Sequence, residues 1–193
     1  SKSITNKTKA IIVVHLYGYV ADMDEIRELA SSNNIILIED AAQSIGAKYK
    51  GEYSGVMGDF GVFSFHSAKN ITTLGEGGML TVKSDSLSKL LPMIRHNGGC
   101  MYDRGPDEEY WIPAMSNVVL PQDSDHTYWP GNYCIGEAES LLGSLLLERL
   151  DEMNREKRTR ALLFIDEMNE FEQLRFHRVD SDRHNYHQLS GMF

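Results

Sequence analysis

Cysteine and basic charge are both scarce in this sequence, and it contains no long apolar run. Its two cysteines, Cys100 and Cys134, are too few and too far apart for a disulfide framework or a zinc module, so two reduced thiols are expected. Lys and Arg number 19 against 28 Asp and Glu, a formal net charge of −9. That balance, with no Lys/Arg cluster, argues against a nucleic-acid partner, which needs a basic face. No stretch approaches the ~20 consecutive apolar residues of a membrane span, and the polar opening from Ser1 to Thr8 lacks a signal peptide's apolar region. The expected setting is the cytoplasm, with neither nucleic acid nor membrane as a partner. With no initiator methionine at one end and no terminating signal in Leu189-Ser190-Gly191-Met192-Phe193 at the other, the chain reads as an internal piece of a longer polypeptide.

What is present points to an α/β protein. The 193 residues, 41% hydrophobic and 24% charged, suit one domain with a real core and are borderline for two. Lys9 to Leu16 is a continuous β-branched run, expected to be a strand buried on both faces as in a parallel sheet. After the break at Tyr17-Gly18-Tyr19, Asp22 or Asp24 can cap a helix with Ile26, Leu29 and Ala30 on its apolar face. Ile35 to Ile38 is the next buried strand, completing a βαβ unit of the kind that builds parallel sheets and collects ligands at the carboxyl ends of its strands. Phe60 to Phe65 and Met79 to Val82 read as further strands, and Ser84 or Asp85 opens a helix that Pro92 should kink or shorten. From Asn97 to Pro130 no period emerges; a stretch of that length inside a compact domain tends to be functional or mobile. Ala138, Leu141, Leu142, Leu145, Leu146 and Leu150 then form a wide apolar helical stripe, followed by an exposed helix to Met168.

Two groups at the strand ends carry chemistry. Asp40 lies just past the second strand, and Lys69 lies between a later strand and the turn Gly75-Glu76-Gly77-Gly78. Pyridoxal phosphate needs such a pair: an amine that joins its aldehyde, and a carboxylate that keeps the pyridine nitrogen protonated so that the ring can draw electrons. Each residue also has a plainer reading, Asp40 as a helix cap or surface carboxylate and Lys69 as a solvated loop lysine. His66 reads as structural, because no triad or metal set accompanies it. His15 reads as a strand-end residue packed under the site. His177, His184 and His187 sit in a polar segment with Arg and Asp, where a metal set is a minor alternative.

In order along the chain stand Glu39-Asp40-Ala41-Ala42-Gln43-Ser44, Ser64-Phe65-His66-Ser67-Ala68-Lys69, Asn70-Ile71-Thr72-Thr73-Leu74-Gly75-Glu76-Gly77-Gly78, and Asn132-Tyr133 ahead of Leu142-Gly143 and Arg149-Leu150-Asp151-Glu152. Together they resemble the DegT/DnrJ/EryC1/StrS family of sugar aminotransferases, which use pyridoxal 5'-phosphate and have the aspartate-aminotransferase fold. The resemblance implies a mainly parallel sheet with helices on both faces. It also implies a partial large cofactor-binding domain over 1–150, with a connecting helix and the start of a small C-terminal domain over 151–193. By it, Lys69 is the catalytic lysine, Asp40 pairs with the ring nitrogen, Gln43 lies against the ring, and Ser64 donates to the phosphate. Asn132 would reach the phosphate of a neighbouring subunit, which implies a homodimer with shared active sites. The implied reaction moves an amino group from glutamate to a keto sugar carried on a nucleotide. A dehydratase or aromatising enzyme and a non-catalytic regulatory relative are the alternatives. The chain departs from the family at Cys134, where Arg or Lys is usual, and at Arg95-His96-Asn97-Gly98, where Asn and His are usually exchanged.

Overall fold

The computed structural model describes residues 2–98, 118–120 and 123–193, so most of the stretch from Cys100 to Trp129, and Cys100 itself, lie outside the described residues. The chain divides into two units, one of 1–81 with 137–193 and one of 82–136.

The first unit is built on a four-stranded sheet in the order β1-β2-β5-β6. Strand β1 (Ala10–Val14) runs parallel to β2 (Ile36–Asp40), from Ala10 against Ile36 to Val14 against Asp40. Strand β2 runs parallel to β5 (Phe60–Ser64), with Asp40 against Val62. Two short strands, β3 (Lys48–Tyr49) and β4 (Glu52–Tyr53), form a hairpin between them. The last strand, β6 (Gly78–Val82), returns beside β5. Phe65 N–H donates to Gly77 O and Ser67 N–H to Gly75 O, each at 2.8 Å; partners that descend as the donors ascend mark an opposed pair of chains.

Helix α1 (Met23–Ser32) crosses between β1 and β2. It buries Met23 and Ala30 in a core with Val13, Val20, Leu37, Ala47, Tyr49 and Met57. Asp22 occupies the cap position but makes no side-chain cap bond. Its carboxylate instead accepts from Arg183 Nη2 at 2.7 Å. Strand β1 is not buried on both faces as its composition suggests: Val13 points into the core while Ile12 and Val14 are 65% and 46% exposed. Alternation follows from the two-residue period of a strand, and Ile36 of β2 and Val62 of β5 are exposed on the same side.

A second cluster joins Ile45, Phe65 and Ile71 to Leu150 at the start of α4 (Leu150–Met168), with Leu146 from α3 (Glu137–Glu148) against it. Only part of the expected leucine stripe is used, and the chain breaks at Arg149 into two helices. Leu141 and Leu145 remain 63% and 52% exposed.

Beyond α4 come β9 (Arg175–Phe176) and β10 (Gly191–Met192), an antiparallel pair. Between them the chain threads back along the ends of β1 and β2. Val20 N–H donates to Arg183 O, Lys48 N–H to Asp182 O, Asn185 N–H to Gly18 O, and Gln188 N–H to Tyr17 O. Here the C-terminal histidines join an aromatic cluster. The His184 ring is stacked on Tyr186 at 4.0 Å and meets the edge of Tyr19, which His177 also meets at 4.7 Å. Burial, helped by the charges of His177 and Arg158, pushes His184 down to about 4, against an opposing backbone hydrogen bond to Gly18.

This value lies below the ordinary 6.5, so the unfolded chain takes up the proton first as pH falls. The stabilisation from keeping His184 neutral is therefore complete above pH 6.5 and lost progressively from there to about 4, an effect of up to about 3 kcal/mol. Thermal unfolding at pH 7.5 and at pH 5 should show a lower Tm at pH 5. The drop should be smaller in His184→Gln; an equal drop in both proteins would contradict the assignment.

In the second unit, α2 (Asp85–Arg95) is capped by Ser84, whose Oγ accepts from Leu87 N–H at 3.4 Å. The helix continues through Pro92 to Arg95 without being shortened. Strands β7 (Val118–Leu120) and β8 (Asp123–Tyr128) pair antiparallel.

Candidate active site

Asp40 is the last residue of β2 and Ser64 the last of β5. Since Asp40 is level with Val62 in a parallel pair, Asp40, Val62 and Ser64 project from the same face of the sheet. The backbone of Asp40 is fixed from both sides: its carbonyl accepts from His15 N–H at 3.1 Å, and the next amide, Ala41 N–H, donates to Val62 O at 2.9 Å. Its Oδ1 accepts from Ala42 N–H at 3.1 Å, which leaves most of its acceptor capacity uncommitted among the described residues.

Gln43 lies in the turn after β2. Its Oε1 accepts from Tyr17 N–H at 2.6 Å, and Tyr17 takes the left-handed conformation at φ 60 to present that amide. For a bulky aromatic this is a strained backbone, and such strain concentrates at functional sites.

Lys69 is half-buried in the loop after β5, with its N–H on His66 O at 2.9 Å. Among the described residues no carboxylate pairs with its Nζ. His66 organises the loop, its Nδ1 accepting from Ala68 N–H at 3.1 Å and its Nε2 lying 3.7 Å from Glu76. Three residues after Lys69, the buried Thr72 Oγ1 has no hydrogen-bond partner among the described residues.

Behind Lys69 lies a polar network that sequence reading missed. Asn70 Oδ1 accepts from Lys157 Nζ at 3.0 Å and contacts His187 Nδ1 at 3.1 Å. Lysine can only donate, so the contacted atom is the amide oxygen, and His187 Nδ1 must carry a proton. Burial and the Lys69 and Lys157 cations push the His187 imidazole down, which keeps Nε2 unprotonated near neutral pH. Asn70 Nδ2 donates to Asn154 Oδ1 at 3.2 Å, Asn154 Nδ2 to Ile45 O at 3.0 Å, and Asn185 Nδ2 to Gln43 O and Ile45 O, both at 3.0 Å. These partners lie more than eighty residues from the loops they hold, so no local period could have revealed them.

Glu39, next to Asp40 on the opposite face, is fully buried with His15. Its carboxylate accepts from His15 Nε2 at 2.8 Å and from the amides of Gly55, Met57 and Gly58 at 2.8, 2.6 and 2.6 Å. Burial alone would raise this carboxyl, but the His15 hydrogen bond and the Gly55 and Gly58 amides outweigh it and hold the group below its ordinary value.

Asn132 belongs to the second unit. There its backbone bridges to His96, and its Oδ1 accepts from Cys134 N–H at 3.4 Å. Cys134 is a free, exposed thiol, and Asn97 has φ 50.

The donor set at the strand ends fits pyridoxal phosphate. Among the described residues it offers an amine with no carboxylate partner, a carboxylate with spare acceptor sites, and a serine hydroxyl beside it on one sheet face.

Among the proteins similar to this chain are several enzymes. GDP-perosamine synthase of Escherichia coli O157:H7 is 35% identical over 190 residues, covering 98% of this chain and 46% of that protein. The solved aminotransferase of Psychrobacter cryohalolentis superposes with a TM-score of 0.78 at 31% identity, over 95% of this chain and 47% of that one. A GDP-4-keto-6-deoxymannose-3-dehydratase, solved with a trapped PLP-glutamate geminal diamine, superposes with a TM-score of 0.77 at 26% identity, over 98% of this chain and 48% of that one. The chain thus spans about half the length of the proteins it matches. With the strand-end carboxylate, the loop lysine and a match that extends over residues 1–193, this chain belongs to the DegT/DnrJ/EryC1/StrS aminotransferase family.

Proposed function

We propose that the chain is part of a pyridoxal-phosphate-dependent aminotransferase that moves an amino group from glutamate to a keto sugar, carried on a nucleotide, in amino-sugar biosynthesis. The observation that carries this reading is the placement of Asp40 and Ser64 on one sheet face at the ends of adjacent strands, ahead of a lysine with no carboxylate partner among the described residues. When bound, the cofactor supplies an aldehyde carbon to receive the amino group and a ring that withdraws electrons from the reacting carbon. Asp40 holds the proton on the ring nitrogen. Ser64 O–H donates to the phosphate, and Gln43, fixed by Tyr17 N–H, lies against the ring. Lys69 would hold the cofactor through its Nζ and would accept and return a proton at that atom.

A homodimer with shared sites, in the cytoplasm, completes the reading. Asn132 of each subunit serves its neighbour's phosphate, and the exposed Leu141 and Leu145 of α3 supply apolar surface for a second copy to cover.

The free amine of Lys69 favours transfer over the dehydratase alternative. The test is incubation of the intact protein with pyridoxal phosphate, isotopically labelled glutamate and a panel of nucleotide keto sugars, followed by mass spectrometry. Label in the sugar supports transfer. Loss of water without label supports a dehydratase, and an intact sugar with no cofactor absorbance supports a regulatory role.

A further inference from the structure

His15 is tied to both residues of the Glu39-Asp40 pair. Its backbone N–H donates to Asp40 O at 3.1 Å, while its ring donates from Nε2 to Glu39 Oε2 at 2.8 Å. The ring's orientation is set by a third contact, Ala21 N–H on Nδ1 at 3.3 Å. An amide can only donate, so Nδ1 is the acceptor and, in the neutral ring, Nε2 carries the hydrogen. Glu39 completes the knot by accepting the amides of Gly55, Met57 and Gly58. Two of the nearby glycines are sterically required: a Cβ at Gly58 would lie 2.7 Å from Leu37 O, and one at Gly61 would lie 1.9 Å from Gly55 O. Strand β1, strand β2 and the turn before β5 therefore meet at a single carboxylate, on the face opposite Asp40 and one residue before it.

We propose that His15 and Glu39 are positioning residues for the Asp40–Gln43 turn, holding the Asp40 carboxylate at the height and angle at which it meets a bound ring nitrogen. An apolar pair could fill the same space, but it could not dictate a register. A buried carboxylate with four donors in fixed directions tolerates one arrangement of the three segments, and any slip leaves an anion unsatisfied. Tyr17, two residues beyond His15, carries the same constraint onward to Gln43 Oε1. The inference rests on the cofactor reading above, in which Asp40 is the ring partner.

Three variants of the intact protein test it: Glu39→Gln, His15→Leu and His15→Gln. Gln at 39 turns one acceptor oxygen into a donor that faces donors on either side. Leu at 15 removes the ring contact while keeping the backbone one. Gln at 15 restores a side-chain donor to Glu39. In cofactor-free protein, hydrogen exchange at the amides of Ala41 and Ala42 should quicken in Glu39→Gln and His15→Leu and return towards wild type in His15→Gln. In loaded protein the same two variants should release cofactor faster and lose kcat by about tenfold to a hundredfold, the scale of an ångström-sized misplacement. KM for glutamate should change little, and His15→Gln should recover most of the loss. Wild-type exchange, cofactor retention and kcat in Glu39→Gln overturn the proposal. A lowered Tm with unaltered kcat in the folded protein also overturns it, since it assigns the pair to stability alone. If wild-type protein binds no cofactor, the exchange measurement still decides whether the pair fixes the turn, and it is the cofactor reading that fails.

Discussion

Replacing Lys69 with alanine should abolish the visible absorbance of lysine-joined pyridoxal phosphate and reduce amino transfer by at least about three orders of magnitude, the upper range of a positioned proton-transfer group. Two features make this a clean experiment. Lys69 Nζ has no carboxylate partner among the described residues, and its backbone is held by His66 O, so truncation leaves the loop's own bonds in place and the Tm should hardly move. The other nearby amine, Lys157, is committed to Asn70 Oδ1 and sits on α4, so it cannot replace the lost group without breaking the network behind the loop. Turnover near the wild-type rate in Lys69→Ala, with the sugar still aminated, would remove Lys69 from the chemistry.

Asp40→Asn should lower kcat by roughly two orders of magnitude, typical of losing one well-placed electrostatic partner, with a smaller change in KM for glutamate. Asparagine keeps the shape and can still accept Ala42 N–H through its oxygen, so the turn should survive. What disappears is the negative charge that favours a protonated ring nitrogen, and that charge matters most while electrons flow into the ring. A change confined to KM would place Asp40 in substrate binding instead.

Much of the sheet could be read in advance because strands announce themselves locally. The β-branched run of β1 and the apolar run of β2, separated by a helix-spaced segment, determine a parallel pair, and the residues that follow such strands fall at ligand-binding edges. Asp40 and Lys69 stood out because each interrupts an apolar or small-residue context at such an edge. The exposure of Ile12 and Val14 was not legible, because an apolar run does not say whether both of its faces are covered. Asp22 looked like a cap by position, but its pairing with Arg183 depends on a segment 161 residues later. The role of Glu39 was less plain in the sequence. Its signal was an acid whose strand neighbours two residues either side, Leu37 and Ala41, are both apolar, which places it on the buried side.

The path of residues 182–188 bears on how the protein is made. Gln43 O, Ile45 O, Gly18 O and Tyr17 O all receive their hydrogens from Asn185 or Gln188, so the ribosome must deliver nearly the whole of this chain before the turns at the ends of β1 and β2 can close. The βαβ unit can collapse early on its own short-range contacts, but it emerges with the turns at its strand ends unlatched and waits for a strap synthesised much later. Long-range closure of this kind is slow, and in the interval the apolar side of the nascent sheet is open to chaperones.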